Sequence, residues 1–236
     1  MMKYEFILGG YFIVKAAQRA ECMDKELLPQ KIITISECIC DILPSTWALS
    51  WVNKSKQDIE SAKSIWGLSD NEFDELENWV TGRFDEGKFG WQYGFGDLII
   101  ARECCRRYLK DTDDIYILGI GLSKKDASVF LDREKPCKGI GSTLAYDVLQ
   151  RNELIDTTGF LGFDVLGYDI GSFHSYICNG LEDDFFEIFG IRPNQYGLYE
   201  SYEGSKQAAE YLLDEKIGAE PALWQSWAVC KFQISE

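Results

Sequence analysis

Two hydrophobic periods, one near two residues and one near three and a half, alternate along this chain. Phe6 to Val14 is a short apolar run interrupted by Gly9-Gly10, which predicts a strand or a hairpin. Ile32 to Leu43 is rich in β-branched residues and closed by Pro44, so a strand is expected there. Lys56 to Trp66 has helical spacing. Ser69 and Glu72 have the spacing of a capping box, in which the hydroxyl accepts from the third helical N–H while the carboxylate reaches back to the cap. The helix they open is predicted to reach about Asp85, with Phe73, Leu76, Trp79, Val80 and Phe84 as its apolar stripe and Gly87 as its stop.

Aromatic rings then occupy alternate positions at Phe89, Trp91, Tyr93 and Phe95, so all four share one face of a strand or extended loop, read as a sheet face or core layer. Asp97 is the expected N-cap of a helix to Leu109, Asp114 to Leu122 reads as a buried strand, Ser123 to Leu131 as a helix and Ser142 to Gln150 as another. The last third reads as strand (Phe160 to Tyr168), helix (Phe173 to Phe189), helix (Glu203 to Lys216) and strand (Leu223 to Ile234). Direct strand neighbours mixed with helical crossovers predict an α+β fold: a mixed or mostly antiparallel sheet with several packed helices.

A chain of 236 residues, 46% of them hydrophobic, can bury a sizeable core. No repeat, low-complexity tract or linker divides it, so one α+β domain over 1–236 is expected. Charge is less even. Residues 153–236 carry 15 acids and 4 bases, a net of −11, whereas residues 1–152 carry 24 and 20, a net of −4, which sets off 1–152 and 153–236 as the alternative division into lobes. The formal net charge of −15 argues against a nucleic-acid backbone or an anionic membrane surface as partner, because phosphate contact needs Lys and Arg to displace counterions.

No stretch approaches the roughly 18 uncharged apolar residues of a spanning helix. Glu5 precedes the first apolar run and no small-residue cleavage site follows it, so a cytoplasmic location without a signal peptide is expected. The eight cysteines mostly sit in apolar surroundings, as in Ile39-Cys40-Asp41-Ile42 and Ala228-Val229-Cys230-Lys231-Phe232, where free thiols behave as small hydrophobes. Cys38-x-Cys40 would put both thiols on one face of the expected strand. With no Cys-x-x-Cys and a single His, no metal site is expected.

Candidate chemistry is sparse. Gly119-Ile120-Gly121 follows a strand and precedes a helix, but Lys124 stands where a dinucleotide fingerprint needs its third glycine, so a structural turn is expected and no cofactor. His174 is flanked by Asp169, Ser172, Ser175 and Cys178. On a helix beginning at Ser172, His174 and Cys178 would share a face, but that spacing suits a nucleophile and its base poorly, so a packing or capping role is expected and no catalytic residue is assigned. Asp111-Thr112-Asp113 begins like a calcium loop and fails at Ile115. Arg102, Arg106, Arg107 and Lys110 lie toward the C-terminal end of a predicted helix, where the dipole favours cations.

The segment Leu161-Gly162-Phe163-Asp164-Val165-Leu166-Gly167-Tyr168-Asp169-Ile170-Gly171-Ser172-Phe173-His174-Ser175, continuing through Cys178-Asn179 to Glu182, resembles uncharacterised bacterial proteins of the polymorphic-toxin immunity type. A glycine-rich strand there leads to a helix start, and a later Asn-x-x-Gly-Leu, here Asn194 to Leu198, precedes another helix. The likeness covers roughly the last third of the chain and brings no catalytic motif. It implies a cytoplasmic protein, not an enzyme, that neutralises a cognate protein toxin by occluding its active site. Charge then suggests the contact: acidic side chains facing a basic toxin surface, with Glu182, Asp183 and Asp184 first and Asp169, Glu200 and Glu203 next. The alternatives are a small cytosolic hydrolase or transferase using His174 with a carboxylate, and a general interaction domain.

If the compartment is reducing, thiol titration of freshly purified protein under denaturing, non-reducing conditions counts eight free thiols; fewer would contradict the cytoplasmic expectation.

Overall fold

The computed structural model describes residues 4–19, 26–43, 55–88, 94–133, 144–169 and 172–235. Their strands are β1 (Phe6–Lys15), β2 (Ala17–Gln18), β3 (Lys31–Ile32), β4 (Asp41–Leu43), β5 (Ile115–Ser123), β6 (Phe160–Asp169), β7 (Ser172–Ser175) and β8 (Leu223–Phe232). The helices are α1 (Lys56–Trp66), α2 (Asp70–Asp85), α3 (Leu98–Tyr108), α4 (Lys124–Arg133), α5 (Leu144–Leu149), α6 (Glu182–Phe189) and α7 (Tyr202–Leu212). Six strands form one sheet in the order β4-β1-β5-β8-β6-β7, every neighbouring pair antiparallel, and β2 pairs with β3 apart from it. The fold is α+β, and β5, from the first part of the chain, pairs directly with β8, from the last. None of the described helices is long and apolar enough to cross a membrane.

Alternation along the strands divides the core. On one face Leu166, Tyr168, Trp227 and Val229 join Trp66, Leu76, Cys104 and Phe130 from α1 to α4. On the other, Val165 and Trp224 pack with Phe185 of α6 and Ala208, Ala209 and Leu212 of α7, while Phe163, Ala228 and Cys230 meet Phe6, Leu8 and Tyr202. Covered on both faces, the middle strands read as near-continuous apolar runs rather than as half-buried ones. The helix starts follow local chemistry: Ser55 with Asp58 and Ser69 with Glu72 form capping boxes, and the Asp97 carboxylate accepts from Ile99 N at 2.8 Å.

Gly9-Gly10 has a specific use. The β1–β5 register shifts between Leu8 and Gly10, with Gly10 at φ 139°, and a Cβ on Gly9 would stand 2.7 Å from the Trp227 ring and 3.3 Å from Ile120. The pair forms a bulge that lets the strand pass close under a tryptophan.

Several expected elements differ. Ile32 to Leu43 is not one strand: after β3 the chain turns, with Ile39 N and Cys40 N both donating to Ser36 O, and pairing resumes only at β4. Cys38 is therefore exposed and Cys40 buried, not side by side on one strand face. Phe173 to Phe189 is not one helix. Ser172–Ser175 alternates in burial as strand β7, Tyr176–Asn179 is a 3-10 turn ended by Gly180 at φ 64°, and α6 begins only at Glu182. The helix expected through Lys216 ends at Leu212, and Asp214 caps a short 3-10 turn over Glu215–Ile217. Gly119 and Gly121 lie inside β5, not in a turn; a Cβ at Gly119 would meet Phe232 at 2.6 Å and one at Gly121 would meet Ile155 and Phe6 at 3.0 Å. Of the alternating aromatics, positions 89–93 lie outside the described residues; Phe95 is fully buried and bridges Tyr11.

Gly9→Val is expected to destabilise the protein by about 1–3 kcal/mol, because the added methyls enter the Trp227 ring and a close-packed core yields little. A denaturant midpoint equal to that of the parent protein would refute this packing.

Candidate functional site

The structure does not bring the six expected carboxylates together on one surface. Glu200 lines a shallow groove with Phe160 and Leu161 at the start of β6, whereas Asp169 ends that strand, about 30 Å away at roughly 3.3 Å per residue. Glu203 opens α7 and accepts a hydrogen bond from the Tyr4 hydroxyl. Asp183 is exposed and Asp184 half-buried on the first turn of α6. Glu182 corrects the surface reading: it is fully buried, close enough to Tyr176 and Tyr199 that its charge adds to the rise of both phenols. Gly180 in the left-handed region reverses the chain ahead of α6, and the way α6 then packs on the core turns its first residue inward and the next to solvent.

What the fold does assemble is a charged helical face. Along α6 the exposed positions are Asp183, Glu187 and Ile188, with Ile188 54% accessible, while Phe185 is fully buried. The Tyr211 ring meets Phe185 and Phe189 edge-on, at centroid distances of 6.1 and 5.8 Å, so the end of α7 abuts α6. Exposed Glu210, Leu213, Asp214 and Glu215 flank Tyr211 in sequence. Arg192, beyond the end of α6, lies over Phe186 at 4.1 Å. Helical spacing places Asp183 with Glu187 and Asp184 with Ile188 whether the helix begins at Phe173 or at Glu182; the sequence does not say which side of that helix faces the core.

On the opposite face of the sheet lies a buried polar group. Asp164 of β6, 1% accessible, accepts from Thr34 Oγ1 at 2.6 Å and Ser175 Oγ at 3.1 Å. Burial raises its pKa to about 7, against the pull of those two hydroxyls. Beside it Tyr176 donates to Gly197 O at 2.8 Å, and Ser36 Oγ lies 3.4 Å from Cys178 Sγ. Asp164 stands in sequence between apolar Phe163 and Val165, the one signal that marks it as a strand residue facing inward.

Other clusters have structural roles. Asp126 joins the ends of β5 and α7: Ser123 donates to it at 2.8 Å, Lys206 pairs with it at 2.7 Å, and the Tyr202 hydroxyl donates to it as well. Burial and that neighbouring carboxylate raise the Tyr202 phenol, the wrong direction for a proton acceptor. Of the basic cluster, Arg107 pairs with Glu103 and Lys110 with Glu72, each at 2.7 Å. Asn194 donates to Leu161 O and accepts from Tyr196 N and Leu198 N, and Gly197 adopts φ 82°, so Asn-x-x-Gly-Leu is a loop closure. His174 lies on β7, not on a helix turn with Cys178; its Nδ1 is 3.0 Å from Glu220 Oε2 without hydrogen-bond alignment. Among the described residues, no three His, Cys, Asp or Glu side chains converge as metal ligands. Comparison with family models, with curated proteins and with solved structures gives no match.

Asp164 makes stability pH-dependent with a definite sign. Its folded pKa of about 7 lies above the ordinary 3.8, so its contribution is full below about pH 4 and is lost as pH rises through 7. A shift of about three units corresponds to about 4 kcal/mol. Asp164→Asn is expected to gain on the parent protein by that order between pH 4 and pH 8 in parallel denaturant titrations; parallel curves would show that Asp164 ionises without cost.

Proposed function

We propose that this protein is a stoichiometric inhibitor, an immunity protein that binds a cognate bacterial toxin and covers its active site from the cytoplasm. The observation that carries this reading is the placement of the acidic surplus of 153–236. Asp183 and Glu187 on α6 and Glu210, Asp214 and Glu215 at the end of α7 are exposed on two packed helices that also carry an accessible isoleucine. A surface on which acids outnumber the exposed Arg192 and Lys216 repels itself and lowers stability, but it steers a basic partner and raises its association rate. An exposed Ile188 amid acids has the character of an interface, where an apolar contact holds what charge has guided in. The resemblance of 161–198 to immunity-type proteins points the same way, since this segment builds β6, β7 and α6.

A second reading, a small hydrolase or transferase using His174 with a carboxylate, is favoured by one observation: the fold brings Glu220 Oε2 within 3.0 Å of His174 Nδ1. The contact puts a carboxylate beside the imidazole, as a general-base dyad requires, but without the hydrogen-bond alignment that would orient the ring.

Both readings meet one experiment, in which the product of the neighbouring gene is expressed with this chain and cell survival and association kinetics are measured. Under the inhibitor reading His174→Ala still protects. Asp183→Lys with Glu187→Lys lowers the association rate at low salt by about tenfold or more and flattens its salt dependence. Ile188→Ala raises the dissociation rate, by about 1–2 kcal/mol. Loss of protection on His174→Ala with binding intact would select the enzyme; binding and salt slope unaffected by every acidic replacement would remove the acidic face from the interface.

A further inference from the structure

Two of the described cysteines differ from the rest. Cys40, Cys104, Cys105 and Cys230 are buried, whereas Cys38 is exposed and Cys178 partly so, and all are free thiols. The two accessible ones belong to segments about 140 residues apart in sequence that meet at Ser36. Ser36 Oγ lies 3.4 Å from Cys178 Sγ, and Ser36 heads the tight turn in which Ile39 N and Cys40 N return to Ser36 O at 3.1 and 3.0 Å. Cys38 is at the tip of that turn. Cys40 points the other way, its thiol donating to Ile32 O at 3.4 Å, so Cys38 alone of the turn's two thiols remains on the outer side.

We propose that Cys38 and Cys178 are a peroxide-oxidisable pair whose disulfide ties the turn at 36–40 to the corner between β7 and α6.

The division of labour follows from exposure. Burial holds the Cys178 thiol up to about 12, a hydrogen bond with Ser36 draws it back, and the charge of a Cys38 thiolate adds to the rise. Cys178 therefore stays protonated while exposed Cys38 meets the oxidant. The Cys38 thiolate attacks one oxygen of hydrogen peroxide; its S–O bond forms as the O–O bond breaks, and the departing hydroxide takes up a proton as water. The Cys178 sulfur then attacks the Cys38 sulfur of the sulfenic acid. The S–S bond forms as the S–OH bond breaks, and the Cys178 proton leaves with that hydroxide as a second water. Two thiols give up two electrons to one peroxide. The bond closes a chain loop of about 140 residues, a large restriction on the unfolded chain.

The test treats the full-length protein with one equivalent of hydrogen peroxide, blocks remaining thiols under denaturing conditions and maps peptides without reduction. Two of the eight thiols should disappear in a monomer, the linked peptide should join the segment holding Cys38 to that holding Cys178, and the melting temperature should rise by several degrees, returning on reduction. Cys38→Ser, an exposed change that leaves packing alone, should abolish the link and the thermal shift, as should Cys178→Ala, each with an unchanged circular dichroism spectrum before oxidation. Oxidation that stops at a sulfinic acid on Cys38, a cross-linked dimer, a bond from Cys38 to any other cysteine, or a link that survives Cys38→Ser would each overturn the proposal.

Discussion

The antiparallel pairing of β5 with β8 is the contact on which the remaining layers depend. It carries the end of the chain into the middle of the sheet, between β1 and β6, so neither strand has a free edge or a solvent face. A strand enclosed this way must be apolar on both sides and small where another layer closes in. The glycines at 9, 119 and 121 answer that second demand, beneath Trp227, Phe232 and Ile155. Trp227 in turn sets the spacing of the larger core, meeting Phe130 of α4 and Phe173 of β7 edge-on at 5.6 and 5.5 Å. Helices on both faces follow, because a sheet apolar on two sides has to be covered twice.

Double coverage also decides where charge goes. With the middle strands enclosed, most acids of 153–236 fall on the outer sides of α6 and α7 and on the loops. Two buried acids, Asp126 from the earlier part of the chain and Asp164 from the later, are informative. Asp126 is buried but ion-paired with Lys206, so opposite charge offsets its desolvation. Asp164 is buried with hydroxyls alone, so its carboxyl is held near neutral pH instead. Both join elements distant in sequence, Asp126 linking α4 to α7 and Asp164 linking β6 to the turn near Thr34.

The stretch from Ser172 to Phe189 shows how one short segment serves several ends. As β7 it adds a final strand to the sheet and puts Phe173 in the large core. As a 3-10 turn it buries Tyr176 and Ile177 and leaves Cys178 at the partly open seam with Ser36. As α6 it inserts Glu182 and Phe185 and presents Asp183 and Glu187 outward. A continuous helix over the same residues could not do this, because its single apolar stripe would leave no place for β7 or for the reversal at Gly180.

The sequence by itself determined what short-range physics controls. Ser69 with Glu72 specified the start of α2, and Asp97 that of α3, because a cap needs only groups within one turn. The apolar runs before Ser123 and after Leu223 specified buried strands, and their mixture with helices specified an α+β fold with a mixed or mostly antiparallel sheet, of which the structure has the antiparallel form. Only the tertiary structure decided the rest. Strand order is set by partners far apart along the chain, and nothing near Leu223 says that β8 will lie between β5 and β6. The break of 172–189 into strand, turn and helix depended on an edge of β6 being available to pair with β7. The candidate site was legible as an excess of acids in the last third but not residue by residue. Glu182 and Asp183 are neighbours of the same charge in sequence, and what sends one into the core and the other to solvent is the direction in which the helix meets the sheet beneath it.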